Sequence, residues 1–199
     1  LYHSILDAIS RGERTPSRIA ARLGRSEGAL RHPLHLLEEA GFVDKTEDVL
    51  RQRHAMWTIA DPIVRLAHLL IRPNVSLLED RRALQVWRAA QATFSAQILG
   101  PHFEQLCRRW VRQHAASELL GTGLGAVGPT TVADLGQRTQ MELDVVALSA
   151  EPLLAGHSAS VLLVGEAKSG VAPRTLGDLY RLERARALLT ATGRCAASQ

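Results

Sequence analysis

The sequence predicts an α+β chain: a helical N-terminal module closing in a strand pair, a helical connector, and a final α/β module. Three observations predict it. Apolar residues recur at helical spacing through residues 2 to 40 and again between 63 and 111. The runs Leu143-Asp144-Val145-Val146-Ala147-Leu148 and Val161-Leu162-Leu163-Val164 are instead almost continuously apolar, as strands covered on both faces are. Breakers fall between these stretches, at Asp61-Pro62, Arg72-Pro73-Asn74 and Gly100-Pro101. With 199 residues and 46% apolar content, the chain can bury one large core or two small ones.

Several classes are disfavoured at once. No apolar stretch approaches the roughly 20 residues that span a bilayer, and no signal-peptide pattern opens the chain, so a cytoplasmic protein without a membrane partner is expected. Cys107 and Cys195 lie in no metal-ligand spacing and are too few for a disulfide framework; both read as reduced thiols. Leu1 is not an initiator methionine, and the chain is expected to be a piece of a longer protein. The net charge of +4 is unevenly spread. Basic and acidic residues number 9 and 8 over 1–60, 8 and 4 over 61–115, and 7 and 8 beyond. The central excess fits either a polyanion partner or a solvated arginine face.

Element by element, Tyr2, Ile5, Leu6 and Ile9 mark one helix face, ended near Gly12. Thr15 caps a second helix with Pro16 at its first position, and Gly24 closes it. Ser26 is placed to cap a third, in which Leu30, Leu34 and Leu37 recur before Ala40-Gly41. Phe42-Val43 and Met56-Trp57-Thr58-Ile59 then read as two strands around a polar tip. This order over residues 1–60, with the phrase Leu36-Leu37-Glu38-Glu39-Ala40-Gly41-Phe42-Val43, resembles a winged helix-turn-helix. The resemblance implies a third helix in the DNA major groove and a wing on the backbone. Its DNA-binding residues would be Arg25, Arg31, His32 and His35, with Arg51 and Arg53 on the wing. Pro33 departs from the pattern by removing a hydrogen bond inside the third helix. The other reading of the module is a packing or dimerisation unit.

Residues 61–96 read as a helical connector, with His68 on an apolar stripe as a packed histidine. In 97–199, the helix opened by Gly100-Pro101 carries Phe103, Leu106, Cys107, Trp110 and Val111 as one stripe, bordered by Glu104. The glycine-rich stretch 121–136 reads as loop with at most one irregular strand. Two strands follow, and 175–192 is a last amphipathic helix. Its inward set is Leu176, Leu179, Tyr180, Leu182, Ala185, Leu188 and Leu189, with Arg181, Arg184 and Arg186 facing out.

Chemistry concentrates in the last module. Only 2 of the 24 basic residues are lysines, and one of them, Lys168, stands two residues after Glu166, on the same face of a strand. Asp144 lies inside the other apolar run, where a lone carboxylate is costly unless paired or metal-bound. Glu104 on a helix, Asp144 on a strand, Glu166-x-Lys168 on a strand and a closing helix together resemble the PD-(D/E)XK nuclease fold, including its Holliday-junction resolvase and Mrr-like branch. By that resemblance Asp144, Glu166 and the Ala167 carbonyl would bind Mg²⁺ or Mn²⁺, ions suited to hard oxygen ligands. Lys168 would orient or help deprotonate the attacking water, and Glu104 would complete the site through water. The fold usually continues with a strand after this helix, so the module is expected to be truncated at its C-terminus.

The joint order resembles the C-terminal half of archaeal-type ATPases of the AAA superfamily. The resemblance implies an ATPase domain missing from this chain, since no phosphate-binding loop with Gly-Lys is present. The expected partners are double-stranded or branched DNA, that ATPase domain, and a second copy in a homodimer. Three functional readings follow: a metal-dependent phosphodiesterase acting on DNA, a catalytically inactive DNA-binding or regulatory appendage, and a protein-interaction module in which Glu166 and Lys168 form a structural ion pair.

Overall fold

The computed structural model describes residues 1–115, 123–150, 160–170 and 172–192, with the side chains of 52–55 left aside. The chain forms two compact units, Leu1–Thr46 with His54–His102 and Glu47–Arg53 with Phe103–Gln199. The helical connector thus counts with the first unit and the hairpin tip with the second. Cys195 and most of the polar turn expected over 149–160 lie outside the described residues.

In the first unit, α1 (Tyr2–Ser10), α2 (Pro16–Leu23) and α3 (Glu27–Glu39) follow the apolar spacing, and Ile5, Ile19, Leu30, Leu34 and Trp57 meet in one core. The Arg18 amide donates to Thr15 Oγ1 at 3.4 Å, and Gly24 closes α2 in the left-handed region at φ 60°. Ser26 occupies the N-cap of α3 without a capping side-chain bond, and α3 runs unbroken through a buried Pro33. β1 (Val43–Asp48) and β2 (Arg51–Ile59) form a hairpin longer than the sequence suggests.

After Asp61, whose carboxylate accepts from the Ile63 amide at 2.8 Å, the chain stays helical. α4 (Pro62–Leu66) passes into a π turn at Ala67–Ile71 and a 3-10 turn at Arg72–Asn74. Pro73 therefore tightens the helix where the sequence suggests an end. α5 (Val75–Glu79), α6 (Ala83–Thr93), a second π turn at Phe94–Leu99 and α7 (Gly100–His114) follow. His68 is buried, as a packed histidine should be. Among the described residues no helix is long and apolar enough to cross a membrane.

The second unit is a three-stranded antiparallel sheet in the order β3 (Leu124–Asp134), β4 (Thr139–Ser149), β5 (Val161–Gly165). Val111 of α7 packs with Val127, Val145 and Ala147 on one face, while Ala185 and Leu189 of α8 (Leu176–Ala191) meet Val132, Leu143 and Val146 on the other. The glycine-rich stretch is thus largely a full strand. Its glycines serve close approach: a Cβ on Gly125 would sit 2.6 Å from the Ser149 carbonyl oxygen, and one on Gly128 would sit 2.7 Å from Val49 Cγ1.

Val49 belongs to the hairpin tip, which the sequence presents as polar and solvated. Instead Val49 and Leu50 pack against the β4–α8 core, and Asp48 is buried. The Asp48 carboxylate accepts from the Leu50 and Arg51 amides, from Thr130 Oγ1 at 2.6 Å and from the Thr131 amide at 3.3 Å.

Two helical faces differ from the sequence expectation. Leu176, Leu179 and Tyr180 point outward, while Arg181 and Arg184 turn back to pair with Glu166 and Asp134. On α7, Trp110 is exposed and Arg108 is buried. On α8, Glu166 and Asp134 draw the arginines inward, since a desolvated carboxylate gains from a cation; on α7, Arg108 instead donates to the Asp144 backbone carbonyl.

Candidate functional site

β4 and β5 bring the expected acids together. Val145 pairs with Gly165, the last residue of β5, so Glu166 and Lys168 follow the strand instead of lying in it as the sequence suggests. The Ala167 amide donates to Asp144 Oδ2 at 2.8 Å, tying the Glu166-Ala167-Lys168 segment to β4. Asp144 also sits in a bulge. Gly128 pairs with Val146 and Thr130 with Leu143, so Asp144 and Val145 together oppose Pro129. A bulge interrupts strict alternation and re-aims the side chain beside it.

Lys168 lies between two acids. Its Nζ is 3.3 Å from Glu166 Oε1 and donates to Asp178 Oδ1. Asp178 is the N3 residue of α8, and its other oxygen accepts from the Thr175 amide at 2.8 Å in a capping box. Lys168 first, then the Thr175 amide and hydroxyl, hold the Asp178 carboxyl down at about 2, and the same contact raises the Lys168 pKa. Because the folded value of Asp178 lies below the unfolded one, its stabilising contribution is present above the unfolded carboxylate range and lost as pH falls toward about 2. Thermal melts across pH 5 to 2 should show that the acid-induced loss is smaller in Asp178→Asn than in the parent chain.

Around this pair the cations are arginines. Arg181 donates to Glu166 Oε1 at 3.0 Å and to the Glu142 carbonyl at 3.2 Å. Arg108 donates to the Asp144 carbonyl at 2.7 Å and lies 3.8 Å from Glu104 Oε2. Arg108 therefore links Glu104 on α7 to β4 at Asp144. Burial pushes the Asp144 carboxyl above its ordinary range and the Glu166 charge adds to this, against the Ala167 amide, Arg108 and Arg181. Burial likewise raises the Cys107 thiol, which feels both Asp144 and Glu104.

Among the described residues, no group of three or more His, Cys, Asp and Glu side chains is disposed to hold a metal ion. Two carboxylates, Asp144 and Glu166, do converge, and Mg²⁺ is commonly held by one or two carboxylates with water and phosphate completing its shell. The raised Asp144 carboxyl reflects its burial first and the Glu166 charge after it. Glu166, by contrast, already has Arg181 and Lys168 on one oxygen.

On the first unit, Arg25, Arg31, His32 and His35 are all exposed. His35 lies 3.4 Å from Glu39 and 3.9 Å from Glu38, so the last turn of α3 is acidic, while Arg31 lies in the N-terminal half, which begins at Glu27. Arg51 is exposed at the start of β2, while the Arg53 side chain lies outside the described residues. Asp178, Arg181, Arg108 and Asp48 are functional or structural partners that the sequence reading missed. Thr175-x-x-Asp178 before an apolar run is a capping-box pattern and was the available signal for Asp178.

Residues 4–46 match the family model of a helix-turn-helix domain, a span from α1 into β1. The N-terminal part of the chain is therefore a helix-turn-helix, and the β1–β2 hairpin that follows supplies its wing. No curated protein and no solved structure matches the chain.

Proposed function

We propose that the chain binds DNA through its helix-turn-helix and hydrolyses the DNA backbone at Asp144, Glu166 and Lys168 with a divalent metal ion. The observation that carries this reading is the convergence of Asp144 and Glu166 across β4 and β5, with Lys168 beside them. Asp144, Glu166 and the Ala167 carbonyl would hold Mg²⁺ or Mn²⁺, which supplies Lewis acidity and a bound water of lowered pKa. Lys168, oriented by Asp178, positions the attacking water and offsets the charge that builds on the phosphate. Glu104, beside Arg108, would complete the site through water. Arg25, Arg31, His32 and the wing arginines hold the duplex, with Arg25 just before α3 and Arg31 within its N-terminal half, the part of a recognition helix that reads base edges.

The second reading is a catalytically inactive DNA-binding or regulatory appendage of an AAA-superfamily ATPase domain. The engagement of Glu166 by Arg181 and Lys168 favours it, because two cations stand where a metal ion would draw its charge. Incubating the chain with linear, supercoiled and branched DNA in Mg²⁺, Mn²⁺ or EDTA separates the two. Metal-dependent cleavage supports the first, and binding without cleavage in either metal supports the second.

Both readings expect affinity that falls steeply with salt, because phosphate neutralisation dominates. Arg31→Ala should weaken duplex binding about fivefold to tenfold and reduce the salt slope by roughly 1, as measured by fluorescence anisotropy across a salt series.

A further inference from the structure

The first unit contains a pocket of about 590 Å³, well within the range of small-molecule sites, walled by Leu6 of α1, Leu36 and Leu37 of α3, and Val64 of α4. Tyr2 and Phe42 stand at its mouth, each over two-fifths exposed. Its polar side chains are Tyr2, His3, His68 and Arg72, and no carboxylate lines it. The Arg72 guanidinium lies 3.1 Å from His3 Nδ1 and has no ion-pair partner among the described residues. Asp7, which pairs with Arg11 at 2.9 Å, lies 3.9 Å from His68 Nδ1. Burial, and then Arg72, lower the His68 pKa, so the buried ring adds a polar but largely neutral edge.

A second feature points to the same place. Ala67 and His68 line the pocket from the π turn Ala67–Ile71, and Arg72 follows directly at its end. π turns sacrifice regular helical bonding and recur at functional sites. Here the irregularity brings a buried imidazole and a guanidinium bonded to His3 but to no carboxylate among the described residues to one end of an apolar chamber.

We propose that this pocket binds a small amphipathic carboxylic acid, its apolar body among the leucines and its carboxylate on Arg72. Apolar walls select the body, and a cation without a carboxylate partner selects the anionic head, which guanidinium pairs with geometrically. The site is separate from the Asp144 constellation and does not depend on nuclease activity. Because Leu36 and Leu37 belong to α3, an occupant would touch the helix assigned to DNA.

Calorimetric titration of the full chain with octanoate, beside octan-1-ol as the uncharged isostere, tests this. One saturable octanoate site per chain is expected, with octan-1-ol at least about fivefold weaker. Arg72→Gln, at an exposed position, should bring octanoate down to the alcohol's affinity and leave the alcohol unchanged. Ala40→Trp, filling the pocket from its exposed rim, should weaken both by about tenfold or more. The proposal is overturned if octanoate shows no saturable binding up to about 10 mM, the affinity of a ten-atom ligand of ordinary efficiency. Equal binding of acid and alcohol, or binding that neither substitution changes in variants with parental circular dichroism, overturns it as well.

Discussion

Asp144→Asn is expected to lower metal-dependent DNA cleavage by at least about 10³-fold while leaving DNA affinity unchanged and the melting temperature unchanged or raised. Asparagine keeps the volume of the side chain and an oxygen for the Ala167 amide, so the bulge and the Glu166-Ala167-Lys168 segment stay in place. What it removes is one of the two carboxylate charges that converge there among the described residues. The stability sign follows from the raised Asp144 carboxyl: burial penalises the ionised form in the folded state, so stability falls as pH rises through the ordinary carboxylate range toward the folded value. A neutral isostere escapes that penalty. Lys168→Arg sharpens the test, since arginine retains a cation for Glu166 and Asp178 but cannot exchange a proton near neutrality; about 10²-fold loss is expected if proton transfer matters. Cleavage at the parental rate by Asp144→Asn would move the chemistry elsewhere. A parent chain that binds DNA yet cleaves it with neither metal leaves the appendage reading in place.

Asp48→Ala is expected to destabilise the second unit by about 3 kcal/mol, a fall in melting temperature of roughly 10 °C by calorimetry. The carboxylate accepts four hydrogen bonds from three amides and the Thr130 hydroxyl, and it is 4% exposed. Truncation strands donors that water cannot reach, and each stranded buried donor costs about 1–3 kcal/mol. Asp48→Asn should lose less, because one oxygen can still serve the Leu50 and Arg51 amides that close the turn. Equal melting of Asp48→Ala and the parent would show that the hairpin tip detaches without cost.

The sequence was legible where local chemistry and burial agreed. Thr15-Pro16 and Gly24 bound α2 as their types require, and the two apolar runs are covered strands. Asp144 and Glu166 were legible as neighbours because two adjacent apolar strands bring their ends together, and the Ala167 amide bond to Asp144 closes that end. What stayed hidden depended on long-range geometry. A cluster of Asp48, Val49 and Leu50 in a polar hairpin does not announce that a glycine-bearing strand, far along the chain, leaves room for it at Gly128. The periodicity of α8 suggested leucines inward, but Glu166 and Asp134 turn Arg181 and Arg184 toward the sheet, and helical periodicity carries no information about which acids the opposing strands present. Lys168 stands out by the rarity of lysine in the chain, whereas its second acid, Asp178, has the sequence signature of an ordinary helix cap.

The hairpin has a consequence for how this protein can be divided. Its base is built into the helix-turn-helix and its tip supplies core residues to the α/β unit, so neither unit is a contiguous stretch of chain. Cutting anywhere between 54 and 102 would release a C-terminal piece lacking Asp48, Val49 and Leu50. The α/β unit cannot complete its core until the chain from residue 47 onward is present, which raises its contact order and slows its folding relative to the largely local helical unit. Recombination that exchanged the helix-turn-helix for another would have to carry a matching tip, so the two halves are constrained to change together.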